Sequence, residues 1–214
     1  MSFKLVAFDL DGTLLDTMPI YYEVIYNATK QVFDDTVDDI AFRKSFHKNS
    51  TLGGFLQDYN QQDTTALRQK IGKILDEQLP KYFLQGVSWM PTAKQTLLQL
   101  KTQYPIGIVT GSFRHIVDIY NEITGLYAMV DTILTRTELG QQKKPNPNGL
   151  LQLQNQFGIH PNHCIYIGND DEDLETAHNA GWKGVLLQDE RLSKSGIDNA
   201  DYVVDTLEEI LTIL

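Results

Sequence analysis

The sequence is poor in cysteine and has no long apolar segment. Cys164 is the single cysteine among 214 residues, which excludes an internal disulfide and favours a reducing compartment. No apolar run approaches the roughly 18 residues of a membrane span, and the N-terminus lacks a basic region followed by an apolar core. We therefore expect a cytoplasmic protein with neither a membrane anchor nor a signal peptide.

Positive charge is also scarce. The chain has 18 Lys and Arg against 28 Asp and Glu, which gives a formal net charge of −10. Binding to nucleic acid or to an acidic membrane needs a basic surface, so neither partner is expected. An anionic substrate would have to be attracted by local features, such as a metal ion, lysines or helix N-termini. The length suits one core with a modest insertion, and we expect a monomer or weak dimer.

Residues 3–17, FKLVAFDLDGTLLDT, contain the first chemical signal. The apolar run at residues 5–8 predicts a strand that is buried on both faces of a parallel sheet. Asp9 and Asp11 follow where the strand ends, and open α/β sheets bind their ligands at that edge. Two carboxylates this close repel each other unless a cation is bound, and Mg²⁺ prefers such hard oxygen ligands. A solvated acidic turn is the alternative interpretation of an isolated D-x-D.

The string DLDGTLLDT resembles the D-x-D-x-T signature of the haloacid dehalogenase superfamily. Within that superfamily it is similar to the branch with an inserted α-helical cap, which includes phosphoglycolate phosphatases and β-phosphoglucomutases. The resemblance implies that Asp9 is the nucleophile that takes the phosphoryl group, and that Asp11 is the general acid and base. Both roles suit carboxylates, because one can attack phosphorus and leave again while a second protonates the leaving alkoxide.

Residues 17–87 are assigned to a helical cap domain, because apolar residues recur there at helical spacing and no strand is predicted. Residues 1–16 and 88–214 then form the core. One cap helix is predicted over residues 52–59, with Asn49 or Ser50 as its N-cap.

A basic cluster in the cap region includes Arg43 and Lys48. Family caps recognise substrate through an equivalent segment, so the resemblance implies that these two residues contact the substrate. The alternative is that the charges form an ordinary solvated face.

Thr110, Gly111 and Ser112 follow a strand predicted at residues 106–109. A hydroxyl and free backbone N–H groups at a strand end, just before a helix, suit a phosphate group. The triplet resembles the family's second signature, which implies that Thr110 binds the phosphoryl group with Gly111 and Ser112 beside it.

Lys143 and Lys144 precede two prolines in a stiff loop before a helix predicted at residues 149–157. Carboxylates gathered around a phosphate need a cation besides the metal, and lysine is a compact one. The sequence K-P-x-P resembles the third signature, so we prefer Lys144 to Lys143. A basic surface loop is the alternative, and residues 129–135 before it are predicted to form a strand.

Acidic and amide side chains follow the strand predicted at residues 164–167 and precede a helix predicted at residues 174–180. Such a cluster at a strand end is costly without a cation. The family's fourth signature has an aspartate where this chain has Asn169, and its second acid corresponds to Asp173. The metal ligand is therefore either the Asn169 oxygen or Asp170. This departure is the strongest sequence argument for reduced or altered activity.

Together the motifs predict a doubly wound, Rossmann-like α/β core with an inserted helical cap, and a Mg²⁺-dependent phosphatase that hydrolyses a small phosphorylated metabolite. The predicted site residues are Asp9, Asp11, Thr110 and Lys144 for catalysis, Gly111, Ser112, Arg43 and Lys48 for substrate, and Asp9, Asp11, Asn169 and Asp170 for metal.

Three other functions are alternatives to this prediction. A sugar phosphomutase usually has a histidine shortly after the first signature, and residues 18–22 here read MPIYY. A dehalogenase does not need the second aspartate, so Asp11 disfavours it. A catalytically weak binding or scaffold protein would be consistent with Asn169.

Overall fold

The computed structural model describes residues 2–33, 37–48, 56, 65–188 and 194–214. The chain forms two compact units. The α/β unit consists of Met1–Asp16 and Val87–Leu214, and the helical unit consists of Thr17–Gly86. Among the described residues, no helix is both long and apolar enough to cross a membrane.

A parallel sheet forms the centre of the α/β unit. Its strands are β1 Leu5–Phe8, β2 Ile106–Val109, β3 Thr132–Leu134, β4 Cys164–Gly168, β5 Lys183–Leu187 and β6 Tyr202–Val204. Their order across the sheet is β3-β2-β1-β4-β5-β6. Strands β2, β1 and β4 are buried along their whole length, as expected for apolar strands covered on both faces. The predicted doubly wound α/β fold is confirmed.

Helices connect these parallel strands. They are Ala93–Leu100, Arg114–Thr124, Arg136–Leu139, Asn148–Phe157, Asp171–Asn179 and Lys194–Asn199, and helix Ile210–Ile213 follows the last strand. Helix Asn148–Phe157 approaches the sheet closely because two glycines leave room for it. A Cβ on Gly107 would lie 2.5 Å from Leu153 Cδ1, and one on Gly149 would lie 2.7 Å from Val109 Cγ1. Cys164 is buried at the start of β4, where the sequence predicted it.

The helical unit contains helices Met18–Val32, Asp39–Lys48 and Thr65–Gly86. Helix Thr65–Gly86 buries residues four apart, namely Ile71, Leu75, Leu79 and Phe83. This spacing makes one apolar stripe, which is the pattern that predicted a helix. The Phe83 ring packs edge-on against Tyr21, with their centroids 5.2 Å apart.

Several predicted boundaries were wrong. The strand predicted at residues 129–135 is confined to Thr132–Leu134, because Leu126–Ala128 forms a 3-10 turn before it. The helix predicted to begin at residue 174 begins at Asp171, since Asp170 caps it. The cap helix predicted over residues 52–59 lies outside the described residues, except for Leu56.

Candidate active site

The candidate site lies at the carboxyl ends of the three central strands. Strand β1 pairs with β2 on one side and with β4 on the other, so the strand order reverses at β1. The crevice at such a reversal is where open α/β sheets bind ligands. Asp9 follows β1 and remains tied to the sheet, because its backbone N–H donates to the Ile167 carbonyl oxygen at 2.8 Å. The loops after β1, β2 and β4 therefore meet at one edge of the sheet.

Lys144 links the segment after β1 to the helix that follows β4. Its Nζ donates to Asp9 Oδ1 at 2.7 Å and to Asp173 Oδ1 at 2.5 Å. All three side chains are buried, with exposed side-chain fractions of 7%, 6% and 1% for Lys144, Asp9 and Asp173. A buried ammonium between two buried carboxylates leaves the group with a net negative charge. The position of Lys144 depends on the loop before helix Asn148–Phe157, where the Lys144–Pro145 peptide bond is cis.

Burial shifts the pKa values of this cluster. Burial raises the pKa of Asp9 to about 6, although Lys144 opposes the shift, and Asp11 and Asp170 add to it. Burial also raises the pKa of Asp170 to about 6, with Asp173 adding to the shift. For Lys144, burial lowers the pKa, but Asp173 and Asp9 outweigh burial and hold it well above the usual range. The lysine is therefore a permanent cation, whereas the carboxylates carry excess negative charge that favours a further cation.

Asp11 is held by hydroxyl groups. Thr110 Oγ1 and Ser112 Oγ donate to Asp11 Oδ2 at 3.2 and 2.7 Å. The Tyr120 hydroxyl donates to Asp11 Oδ1 at 2.8 Å. Both oxygens of this carboxylate therefore accept hydrogen bonds from residues on and after the loop that follows β2.

Asp170 and Asp173 have a structural role in addition to their charge. Asp170 Oδ1 accepts from the Asp173 backbone N–H at 2.9 Å, and Asp173 Oδ2 accepts from the backbone N–H groups of Asn169 and Asp170 at 3.1 and 3.3 Å. This reciprocal capping box begins helix Asp171–Asn179. The prediction that the acidic cluster needs a metal to offset its cost was therefore incomplete. The helix N-terminus and Lys144 already stabilise part of the negative charge.

Asn169 contains an unpaired buried atom. Its Oδ1 accepts from Thr13 Oγ1 at 3.2 Å, and the same hydroxyl lies 3.4 Å from Asp9 Oδ2. Its Nδ2 is fully buried and has no hydrogen-bond partner. An unsatisfied buried donor costs roughly 1–3 kcal/mol, so the arrangement indicates that another group completes this corner of the site.

A hard cation fits this corner. The two ends of a carboxamide have nearly the same shape, so turning the Asn169 amide over would let Nδ2 donate to the Thr13 hydroxyl. Thr13 could then donate to Asp9 Oδ2, and Asn169 Oδ1 would occupy the position of the unpaired nitrogen. Carboxylate and amide oxygens from Asp9, Asp170 and Asn169 are the donors that Mg²⁺ prefers. Within the described ranges no three His, Cys, Asp or Glu side chains are grouped to hold a metal, so we include the amide oxygen in the predicted ligand set.

The remaining predicted residues lie in two places. Ser112 donates to the Asp11 carboxylate, Gly111 precedes it in the chain, and a Cβ on Gly111 would meet no atom within 4 Å. Arg43 lies in the helical unit, with its guanidinium 5.3 Å from the centroid of the Tyr22 ring. Lys48 ends helix Asp39–Lys48, and its side chain lies outside the described residues.

Sequence reasoning missed three residues that contact the site. Thr13 is part of the first motif, so the D-x-D-x-T pattern could have identified it. Tyr120 is a hydroxyl-bearing residue on the buried face of a helix, and Tyr166 is a polar aromatic residue in a buried strand. Tyr166 donates to the Val109 carbonyl oxygen at 2.8 Å and lies 3.2 Å from Asp173 Oδ1.

Comparison with known proteins gives consistent results. A model of the haloacid dehalogenase-like hydrolases matches residues 6–187. The pyrophosphatase PpaX of Oceanobacillus iheyensis is 25% identical over 221 residues, which cover 100% of this chain and 98% of the relative. The phosphoglycolate phosphatase of Mannheimia succiniciproducens is 26% identical over 197 residues, which cover 87% of this chain and 86% of the relative. A solved haloacid dehalogenase-like family protein from Streptococcus pneumoniae has a TM-score of 0.80 at 17% identity, and the alignment covers 99% of this chain and 98% of that chain.

Proposed function

The chain belongs to the haloacid dehalogenase-like hydrolases, and on that basis we propose that it hydrolyses a small phosphate monoester through an aspartyl-phosphate on Asp9. One observation carries the proposal. The buried Asp9 carboxylate is paired with Lys144 and lies beside a second carboxylate, Asp11, which hydroxyl groups hold in place. A nucleophile, a fixed cation and a candidate proton donor are thereby gathered at one edge of the sheet.

Asp9 is the proposed nucleophile. A carboxylate oxygen of Asp9 forms a bond to phosphorus while the bond from phosphorus to the leaving oxygen breaks, which produces an acyl phosphate and an alcohol. With a pKa of about 6, Asp9 is largely ionised at neutral pH although it is buried. Lys144 holds one of its oxygens and offsets negative charge at the reacting phosphoryl group.

Asp11 is the proposed general acid and base. In the first step it gives a proton to the leaving oxygen, and in the second step it removes a proton from the water that attacks the acyl phosphate. Hydrolysis then releases inorganic phosphate and restores Asp9. Thr110, Gly111 and Ser112 border this carboxylate and are proposed to receive the phosphoryl oxygens through hydroxyl and backbone N–H groups.

Mg²⁺ is the proposed cofactor, held by Asp9, Asn169 and Asp170, and Asp11 remains a predicted ligand. When bound, the ion would neutralise charge on the phosphoryl oxygens. An Asn169 amide turned over, with Oδ1 in place of the unpaired Nδ2, and the raised pKa values of Asp9 and Asp170 support a cation at this corner.

The proposed substrate is a small phosphorylated metabolite. Two relatives are named for pyrophosphate and phosphoglycolate, which are both compact and strongly anionic. We propose that the helical unit acts as the cap and selects the substrate, with Arg43 and Lys48 as contacts.

Assays of the purified protein would test this function. We expect turnover of p-nitrophenyl phosphate, phosphoglycolate or pyrophosphate in Mg²⁺ and its loss on chelation. Asp9→Asn should lower the rate by about 10³-fold or more, because an amide is a poor nucleophile. Acid-quenched wild-type protein should carry a phosphoryl group on Asp9, detectable by peptide mass spectrometry.

The matched control is Asp205→Asn, which makes the same change at an exposed position of the α/β unit. It should leave turnover unchanged. An Asp9→Asn protein with near wild-type activity would move the nucleophile elsewhere. A correctly folded wild-type protein without turnover on any of these substrates would favour the catalytically weak binding protein.

A further inference from the structure

Tyr120 lies on the buried face of helix Arg114–Thr124, with Ile116, Val117 and Thr124. Its side chain is fully buried. Side chains on a helix point back towards its N-terminus, so the phenol of Tyr120 reaches towards the loop that leads into the helix. That loop carries Thr110 and Ser112.

The Tyr120 hydroxyl contacts the carboxylate of the proposed acid and base. It donates to Asp11 Oδ1 at 2.8 Å, whereas Thr110 and Ser112 donate to Oδ2. Thr110 Oγ1 accepts a hydrogen bond from the Ser112 backbone N–H at 3.0 Å. The hydroxyl hydrogen of Thr110 can therefore point at Asp11. Donors on both oxygens fix the rotation of the carboxyl plane as well as its position.

We propose that Tyr120 is a positioning residue for Asp11, and that its hydroxyl holds the carboxyl group in the orientation needed for proton transfer to the leaving oxygen. This inference rests on the proposed phosphatase function. The Tyr120 hydroxyl is not needed to fill space, since phenylalanine has the same ring. The Tyr104 hydroxyl, by contrast, donates to the Leu214 carbonyl oxygen, whereas the Tyr127 and Tyr166 hydroxyls also reach carboxylates, those of Asp118 and Asp173.

A comparison of substrates separates positioning from packing. An alkyl phosphate needs a proton on its leaving oxygen, whereas p-nitrophenolate leaves readily without one. For Tyr120→Phe we expect kcat for phosphoglycolate to fall by about 10-fold, with less than about a twofold change for p-nitrophenyl phosphate. KM for both substrates should be unchanged. Tyr104→Phe removes a phenolic hydroxyl elsewhere in the same unit and should change neither reaction.

Two further variants test the link to Asp11. In an Asp11→Asn background, Tyr120→Phe should cause no additional loss with phosphoglycolate, because the two residues act through one proton transfer. The amine of 4-aminophenylalanine at position 120 restores a donor of similar reach. It should recover most of the activity lost in Tyr120→Phe.

Each remaining outcome overturns the proposal. Equal losses with both substrates, together with a lower Tm, would show that the hydroxyl only supports the fold. An unchanged phosphoglycolate rate in Tyr120→Phe would show that Asp11 is oriented without it. In both cases wild-type turnover still supports the phosphatase function, whereas a wild-type protein without turnover removes the function and this inference together.

Discussion

Asn169 is the residue at which this chain departs most clearly from the pattern of its family. Its side chain is buried beside Asp9, and its amide nitrogen has no partner. A neutral oxygen at a metal position removes one negative charge from the site, which weakens attraction for a divalent cation and reduces repulsion of an anionic substrate. Asp170, the alternative ligand, already uses one carboxylate oxygen to cap a helix. Which of Asn169 and Asp170 a bound Mg²⁺ would depend on more therefore stays a prediction, which substitutions at the two positions can separate.

The first prediction concerns the Mg²⁺ requirement. Asn169→Asp should lower the Mg²⁺ concentration for half-maximal rate by about 10-fold, because it adds a full charge at the ligand position. It should also raise KM for phosphoglycolate, since the added charge repels the substrate. Asp170→Asn should raise the Mg²⁺ requirement by a smaller factor and keep the helix cap, because asparagine is an equally good N-cap.

Asn155→Asp adds the same charge at an exposed helical position and is the matched control. It should change neither quantity. If Asn169→Asp left the Mg²⁺ requirement unchanged while Asp170→Asn raised it, Asp170 would be the ligand.

The junction between β4 and helix Asp171–Asn179 fixes the position of Asp173 against Lys144 and the end of the strand. Gly168 ends the strand, and the Asp173 side chain lies directly over it. Its carboxylate accepts hydrogen bonds from the backbone N–H groups of Asn169 and Asp170 and forms an ion pair with Lys144. Asp173 can lie this close to the strand only if the residue at position 168 has no side chain. A Cβ on Gly168 would lie 2.3 Å from Cβ, Cγ and Oδ2 of Asp173.

The second prediction is that Gly168→Ala lowers stability and activity together. Because Asp173 must move, we expect a loss of about 2–3 kcal/mol in the free energy of unfolding. Turnover should fall as well, since Lys144 loses a partner. Urea denaturation and steady-state assays on the same preparation would measure both effects.

The control is a glycine-to-alanine substitution that should raise the free energy of unfolding. A Cβ on Gly72, inside helix Thr65–Gly86, would meet no atom within 4 Å. Gly72→Ala should therefore stabilise the protein by about 0.5–1 kcal/mol through helix propensity. If Gly168→Ala were as stable and active as the wild type, Asp173 would not be held as we describe.

Negative charge is the dominant electrostatic feature of the whole protein. The formal net charge is −10, and the α/β unit buries further carboxylates at its site. Burial raises the pKa of Asp9 and Asp170 to about 6 from a usual value of 3.8. The folded state therefore binds protons more tightly than the unfolded state at both positions.

The third prediction follows from this proton linkage. Since the raised pKa values favour the protonated carboxyl groups in the folded state, the stability that Asp9 and Asp170 contribute is complete below about pH 4 and is lost as the pH rises to about 6. The free energy of unfolding lost in this way is on the order of 3 kcal/mol for Asp9 or Asp170 taken alone. The two groups together lose less than twice that value. Unfolding of the metal-free protein across this pH range would measure it.

The carboxyl groups with lowered pKa values, Glu138 and Asp201, do not obscure this window. Burial raises the pKa of Glu138, but hydrogen bonds from Arg114 and Thr135 outweigh it and lower that pKa to about 2. The stabilisation from Glu138 is therefore complete by about pH 5. Mg²⁺ should raise Tm much more at neutral pH than near pH 5, because it binds the ionised carboxylates. Stability that rises from about pH 5 to 7 in the metal-free protein would contradict the burial of these charges.

The sequence by itself determined the fold class and the family. Short apolar runs ending in polar motifs are local signals, and the strand ends at Phe8, Val109 and Gly168 lie next to their motifs in the chain. The limits of helices and strands were predicted less accurately than the fold class. The start of helix Asp171–Asn179 was missed because the acidic run before it was interpreted as a cation site, with Asp170 as a candidate ligand, and not as a capping box. The site roles themselves, and the limits of the two domains, stay predictions.

Only the tertiary structure decided which side chains meet. Lys144 bridges Asp9 and Asp173, and Tyr120 reaches Asp11, although these partners are far apart in the sequence. Such contacts depend on the order of the strands and on how closely each helix packs against the sheet, and no local pattern contains that information. The unpaired nitrogen of Asn169 likewise became visible only once its neighbours were in place. A residue type indicates what chemistry is available, whereas packing determines which groups are close enough to use it.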